Sequence, residues 1–131
     1  MAPGGPGRVP EPSGQRLPKH ALIRSGREIR EVLKRGRRFR TPSLDVFVMT
    51  SPAHRPRLGF VVPKAGHRIV ERNRLKRRLR EIARTRALTS LFEADRKDDV
   101  LVRARKSAYE RSQTELEDEL MGVVEGLCSL G

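Results

Sequence analysis

The sequence predicts one α+β domain, a sandwich of helices on a small sheet, and three observations carry the prediction. Apolar residues recur at helical and at strand spacing in the order helix, strands, helix, strand, helix, which an α+β or α/β sandwich satisfies. The chain has 131 residues, the length of a single domain. Its residues are 36% hydrophobic and 34% charged, so the core must be small and the surface heavily charged.

The first helix is predicted over about residues 26–35. Ser25 and Glu28 have capping-box spacing, Ile29, Val32 and Leu33 follow at helical intervals, and Gly36 supplies a stop. Residues 44–49 alternate, with Leu44, Val46 and Val48 on one side and Asp45, Phe47 and Met49 on the other, the period of a strand. Residues 51–56 read as a loop and 57–62 as a second strand ended by Pro63, the two strands forming a hairpin. Phe39 fits a short extra strand before Pro42. After a polar cluster at 95–99, Val100, Leu101 and Val102 read as a buried strand. Ser112 and Glu115 form another capping box, and Leu116, Leu120, Val123, Val124 and Leu127 make the stripe of a helix that packs on the sheet.

Residues 1–16, rich in Pro and Gly, are predicted to form a flexible tail, with no apolar stretch of the secretory type. Cys128 is the only cysteine, which leaves no intrachain disulfide, and the expected compartment is the cytoplasm.

Charge narrows the class of partner. There are 29 Lys and Arg against 16 Asp and Glu, a formal charge of +13. Residues 110–131 carry −5, which leaves +18 on residues 1–109. Such an excess is relieved by a polyanion, and each phosphate neutralised releases a counterion. A membrane surface would call for an apolar face with Trp or Phe beside the basic one. Here Trp is absent and no apolar run approaches the ~18 residues of a membrane span.

The basic residues concentrate in a helix at 72–86. At about 100° per residue, Leu75, Leu79, Ile82 and Arg86 fall on one side. Asn73, Arg77, Arg80 and Arg84 fall on the other, with Lys76 at the margin. The first stripe docks the helix, and the second presents guanidinium forks suited to phosphate. Residues 64–86 hold ten Lys or Arg and two acids, Glu71 and Glu81, too few to neutralise the row. The uniform Arg/Lys face suits a nucleic-acid backbone, with Asn73 the side chain fitted to a base edge or amide; charge alone does not separate RNA from DNA. Catalytic chemistry is not signalled. His20, His54 and His67 lack ligand spacing, and Glu93, Asp95, Asp98 and Asp99 read as acids of a polar loop.

The strand Leu58-Gly59-Phe60-Val61-Val62-Pro63-Lys64 followed by Ile69-Val70-Glu71-Arg72-Asn73-Arg74-Leu75-Lys76-Arg77-Arg78-Leu79-Arg80-Glu81 resembles the signature of the bacterial ribonuclease P protein family. The resemblance spans about residues 17–127. It implies an α-β-β-β-α-β-α order with a left-handed β-α-β crossover, the ribosomal protein S5 domain 2-like fold. It further implies a subunit that binds a catalytic RNA and assists removal of the 5′ leader from precursor tRNA. Magnesium would be held by the RNA and substrate, and no catalytic residue, metal ligand or obligate protein partner is expected in this chain.

Carried over by position, Arg72, Asn73, Arg74, Lys76, Arg77 and Arg80 match the motif that faces the catalytic RNA. Arg57 matches the basic residue opening the strand and Lys64 the one after it, while Arg68 and Arg84 complete the expected RNA-binding set. Ile29, Leu33 and Phe47 match a leader cleft, where the family often has phenylalanines on the first helix; core packing is the other role open to Ile29 and Leu33. The chain departs from the family at Ala65, where a second Lys is usual, and at Gly66-His67, where the loop glycine is shifted. Two competing readings are a ribosome-associated or RNA-chaperone protein without a catalytic partner, and a self-sufficient nuclease built on Asp98 or Asp99.

Overall fold

A computed structural model describes residues 17–129, so the tail expected over 1–16 lies outside the described residues. The order is α1 (Gly26–Arg35), β1 (Arg37–Arg40), β2 (Leu44–Thr50), β3 (Arg57–Val61), α2 (Ile69–Ile82), α3 (Leu88–Glu93), β4 (Asp98–Ala104) and α4 (Gln113–Ser129). A π-helical stretch, Ala83–Ala87, joins α2 to α3 without a break in the helical path.

The four strands form one sheet in the order β1-β2-β4-β3. β1 and β2 are an antiparallel hairpin, so the weak strand signal around Phe39 is a real element. β4 is antiparallel to β2 and parallel to β3. The expected hairpin of residues 44–49 with 57–62 is therefore wrong, because β4 lies between them. The physical reason is burial. Val100, Leu101 and Val102 are each 0% exposed, and a strand apolar on both faces must take a central position. Asp98 and Asp99, expected in the loop, begin that strand.

The alternation in β2 divides the core as its sequence implies. Leu44, Val46 and Val48 face a large cluster with Leu75, Leu79 and Ile82 of α2 and Leu116, Leu120, Val124 and Leu127 of α4. Phe47 and Leu101 face the other way, against Ile23 and Val32, with Ile29 and Leu33 packed alongside. The result is a layer of α1, the sheet, and a layer of α2, α3 and α4.

Of the two predicted capping boxes, the one at Ser112 closes fully. Ser112 and Glu115 exchange bonds, the Ser112 N–H to Oε1 at 2.8 Å and the Glu115 N–H to Oγ at 3.1 Å. Ser25 Oγ accepts from the N–H groups of Arg27 and Glu28, but the Glu28 carboxylate turns to Arg57 instead, at 3.3 Å.

The apolar stripe on the long helix does not include Arg86. A π turn advances the register by one residue, so Ala87, 0% exposed, points inward and Arg86 is exposed. Arg86 pairs with Glu117 and, at 3.6 Å, with Glu125, which joins the acidic α4 to this end of the basic helix.

Candidate nucleic-acid interface

The chain before α1 runs beside β3 and makes one wall of a groove. Ile23 donates its N–H to the Leu58 carbonyl at 2.8 Å, and Leu22 bridges Leu58 in parallel. Gly59 permits this approach. A Cβ there would sit 2.8 Å from Leu101 Cδ1 and 3.1 Å from Ile23 Cβ, closer than packed side chains allow. Arg55 Nε donates to the His20 carbonyl at 2.8 Å and fixes the segment further.

The opposite wall is α2. Leu17, Lys19, Leu22 and Arg24 face Asn73, Lys76, Arg77, Arg80, Glu81 and Arg84 across a groove of about 680 Å3. Glu81 is the one carboxylate in this lining, and Arg84 engages it through Nε at 3.2 Å and through a second, shorter contact. Lys19, Arg24, Lys76, Arg77 and Arg80 have no carboxylate within ion-pairing distance among the described residues. Five cations held along one groove without counter-charges repel one another and attract phosphate.

The two acids available to quench the row are thus largely committed. Glu71 accepts the Arg68 N–H at 3.0 Å and lies 3.0 Å from His67 Nδ1. These contacts, the backbone bond first, hold its carboxyl below the usual range. It caps the helix and leaves the arginines free.

The structure sorts the sequence-predicted residues into four places. Asn73, Lys76, Arg77, Arg80 and Arg84 line the groove together. Lys64 and Arg68 are exposed where the chain enters α2. Arg72 and Arg74 lie on neighbouring flanks, and Arg72 Nε is buried without a hydrogen-bond partner. Arg57 is not at the surface. It is 7% exposed and bound to Asp99, so burial removes it from the set able to meet RNA. Asp98 in turn accepts from Arg96 Nε at 2.9 Å.

On the other side of the sheet, Ile29 and Leu33 are half-buried against the Val32, Phe47 and Leu101 cluster. Phe47 is 5% exposed, and the Arg103 guanidinium lies 5.0 Å from its ring centroid. The ring is covered by that cation and offers no open face for a base.

Lys19 and Arg24 were not singled out from sequence, because no local pattern shows that residues 17–24 lie along α2. Ile69 and Val70 open the stretch that resembles the family signature, and no role follows for them from sequence. They are 62% and 60% exposed, an apolar pair on the first turn of α2 beside the cations. Among the described residues, no group of three or more His, Cys, Asp or Glu is placed to hold a metal ion, and no helix is long and apolar enough to cross a membrane.

Comparison with known proteins agrees with the geometry. The family model described as Ribonuclease P matches residues 17–127. The ribonuclease P protein component of Finegoldia magna is 33% identical over 107 residues, covering 82% of this chain and 90% of that protein. The corresponding protein of Acidothermus cellulolyticus is 35% identical over 111 residues, covering 81% and 89%. Among solved structures, the RNase P protein of Thermotoga maritima superposes with a TM-score of 0.66 at 23% identity, covering 79% of this chain and 94% of that one. That of Staphylococcus aureus gives 0.65 at 22%, covering 86% and 92%, and both show the same fold. A basic groove on a mixed four-stranded sheet, matched in sequence over nearly the whole described chain, places this protein in the ribonuclease P protein family.

Proposed function

We propose that this chain is the protein subunit of a cytoplasmic ribonuclease P, binding the catalytic RNA in the groove between residues 17–24 and α2. The unquenched row Lys76, Arg77 and Arg80, facing Lys19 and Arg24, is the observation that carries the reading. Backbone phosphates would lie in the groove, and Asn73 would offer an amide to a base edge or sugar. Lys64 and Arg68 would extend the contact past the start of α2, while Ile69 and Val70 would pack against ribose or base.

Leader contact would fall on the opposite face, at Ile29 and Leu33. Because the Phe47 ring is covered, the planar Arg103 guanidinium would take the stacking role there. Cleavage chemistry would belong to the RNA, with magnesium held by the RNA and precursor tRNA. The acids Asp98 and Asp99 do not fit metal ligation, since Arg96 and Arg57 occupy them.

Reconstitution tests the proposal. A bacterial ribonuclease P RNA is assayed for leader removal from precursor tRNA at physiological magnesium, with and without the full chain. The expected result is cleavage that depends on the protein. Unchanged cleavage with equally tight binding to ribosomal RNA would favour an RNA chaperone, and cleavage without any RNA subunit would favour a protein nuclease.

A further inference from the structure

The loop ahead of α2 builds a second concavity on that helix. His67, Glu71, Arg74, Leu75, Arg78 and Tyr109 enclose about 150 Å3. Arg74 stands about 100° round the helix from Asn73, so this cavity lies on a different flank from the groove. Ala65 and Gly66 adopt left-handed backbone, φ 44° and 80°, and the His67 N–H closes the turn on the Lys64 carbonyl at 2.7 Å. The turn lays the His67 ring on Tyr109, with centroids 3.7 Å apart and planes 11° from parallel. Tyr109 is fixed in turn by its hydroxyl, which donates to the Pro63 carbonyl at 2.6 Å.

The geometry points to a subsite for one unpaired nucleobase of an RNA partner, an inference that rests on the RNA-binding reading above. The lining is flat and layered: the His67–Tyr109 pair forms a wall, and the buried Leu75 forms the floor. Bases stack on such surfaces with little regard to identity. The side chain of His67 is 34% exposed, so the stack is open to a further planar ring. Glu71 decides between base and phosphate. Its Oε1 takes the Arg68 N–H and His67, while Oε2 has no hydrogen-bond partner among the described residues. A carboxylate repels phosphate and accepts from the amino and imino groups of a base. Arg74 and Arg78, neither in an ion pair among the described residues, stand at the rim where the phosphates flanking an inserted base would pass. Loop packing alone explains the ring pair, and Arg78 Nη1 donates to the Arg111 carbonyl at 3.4 Å, but neither contact employs the free carboxylate oxygen of Glu71 or the guanidinium of Arg74.

The test is a titration of the full chain with guanosine 5′-monophosphate, followed by NMR of the His67 and Tyr109 ring protons. Ribose 5-phosphate is the control. Saturable upfield ring-current shifts in the millimolar range are expected with the nucleotide and absent with the sugar phosphate. His67→Leu, which keeps an apolar filler but removes the plane, should weaken the nucleotide several-fold. Tyr109→Phe, which keeps the ring but loses the bond to the Pro63 carbonyl, should weaken the nucleotide less than His67→Leu does. No ring shift, equal perturbation by ribose 5-phosphate, or unaltered binding in His67→Leu would overturn the subsite. Binding to ribonuclease P RNA is measured in parallel. A failed subsite with salt-dependent RNA binding intact leaves the main reading standing, whereas loss of RNA binding itself removes both.

Discussion

Arg57 grips Asp99 through two parallel hydrogen bonds inside the sheet, Nε to Oδ1 at 2.9 Å and Nη2 to Oδ2 at 2.7 Å. The two residues are direct partners across the parallel β3–β4 pair, and Glu28 of α1 adds a third contact at 3.3 Å. The cluster therefore joins three elements whose sequence positions are far apart. Asp99 is 1% exposed, so removing its partner strands a buried carboxylate.

Arg57→Ala should accordingly cost about 3–5 kcal/mol, a large part of the ~5–15 kcal/mol typical of a domain. Urea unfolding followed by circular dichroism measures the loss. The protein that stays folded at low temperature should bind ribonuclease P RNA with an unchanged salt slope. A reduced slope at intact stability would return Arg57 to the RNA surface.

That pair also shows which parts of the molecule are legible in a sequence. α1, β2 and α4 are announced by local signals, such as the Ser112–Glu115 cap and the alternation of Leu44, Val46 and Val48, and each forms. The Arg77–Arg80 face is equally local, because helical spacing alone sets it. Strand neighbours are not local. Nothing near Arg57 says that its partner is Asp99, so a hairpin with residues 44–49 looked natural, and Arg57 looked like a surface cation. Lys19 and Arg24 were missed for the same reason, since the groove depends on Leu22 meeting Leu58. Arg86 was misplaced because spacing arguments assume an unbroken α-helix, and the turn at Ala83–Ala87 widens to π.

Besides the solvated Glu71, acid should weaken the fold through two carboxylates shielded from water. Burial alone would raise the Asp45 carboxyl, but hydrogen bonds from Arg103 and Arg38 outweigh it and hold the group below its ordinary value. Burial likewise opposes ionisation of Glu119, and bonds from Ser43 and Thr41 reverse the balance. A group depressed in the native state stabilises above its unfolded pKa and loses that contribution as pH falls through the native value. Stability should thus be nearly flat from pH 7 to about 5, then decline below about pH 4, the ordinary carboxylate range. Asp45→Asn should cost about 1–3 kcal/mol at pH 7 and flatten the acid limb. Urea midpoints at pH 7, 5, 4 and 3 check both effects. An acid limb as steep in Asp45→Asn as in the parent would assign the effect to other groups.

The groove makes a sharper demand on the RNA contact, because its two walls come from distant parts of the chain. If phosphates lie between them, Arg77→Ala, Arg80→Ala and Arg24→Ala should each weaken binding to ribonuclease P RNA. Each should also lower the slope of log affinity against log salt by about one unit. Their stability should change little, since all three side chains are exposed and outside any ion pair among the described residues. Ile29→Ala lies across the sheet, half-buried against Val32 and Leu101. It should cost about 1–2 kcal/mol of stability and weaken binding to leader-bearing precursor tRNA while leaving the salt slope for the catalytic RNA unchanged. Filter binding over a series of salt concentrations, alongside urea unfolding, separates these outcomes. A slope lowered by Arg77→Ala but not by Arg24→Ala would confine the contact to α2 and remove residues 17–24 from the interface. A slope lowered equally by Ile29→Ala would dissolve the division between the two faces of the sheet.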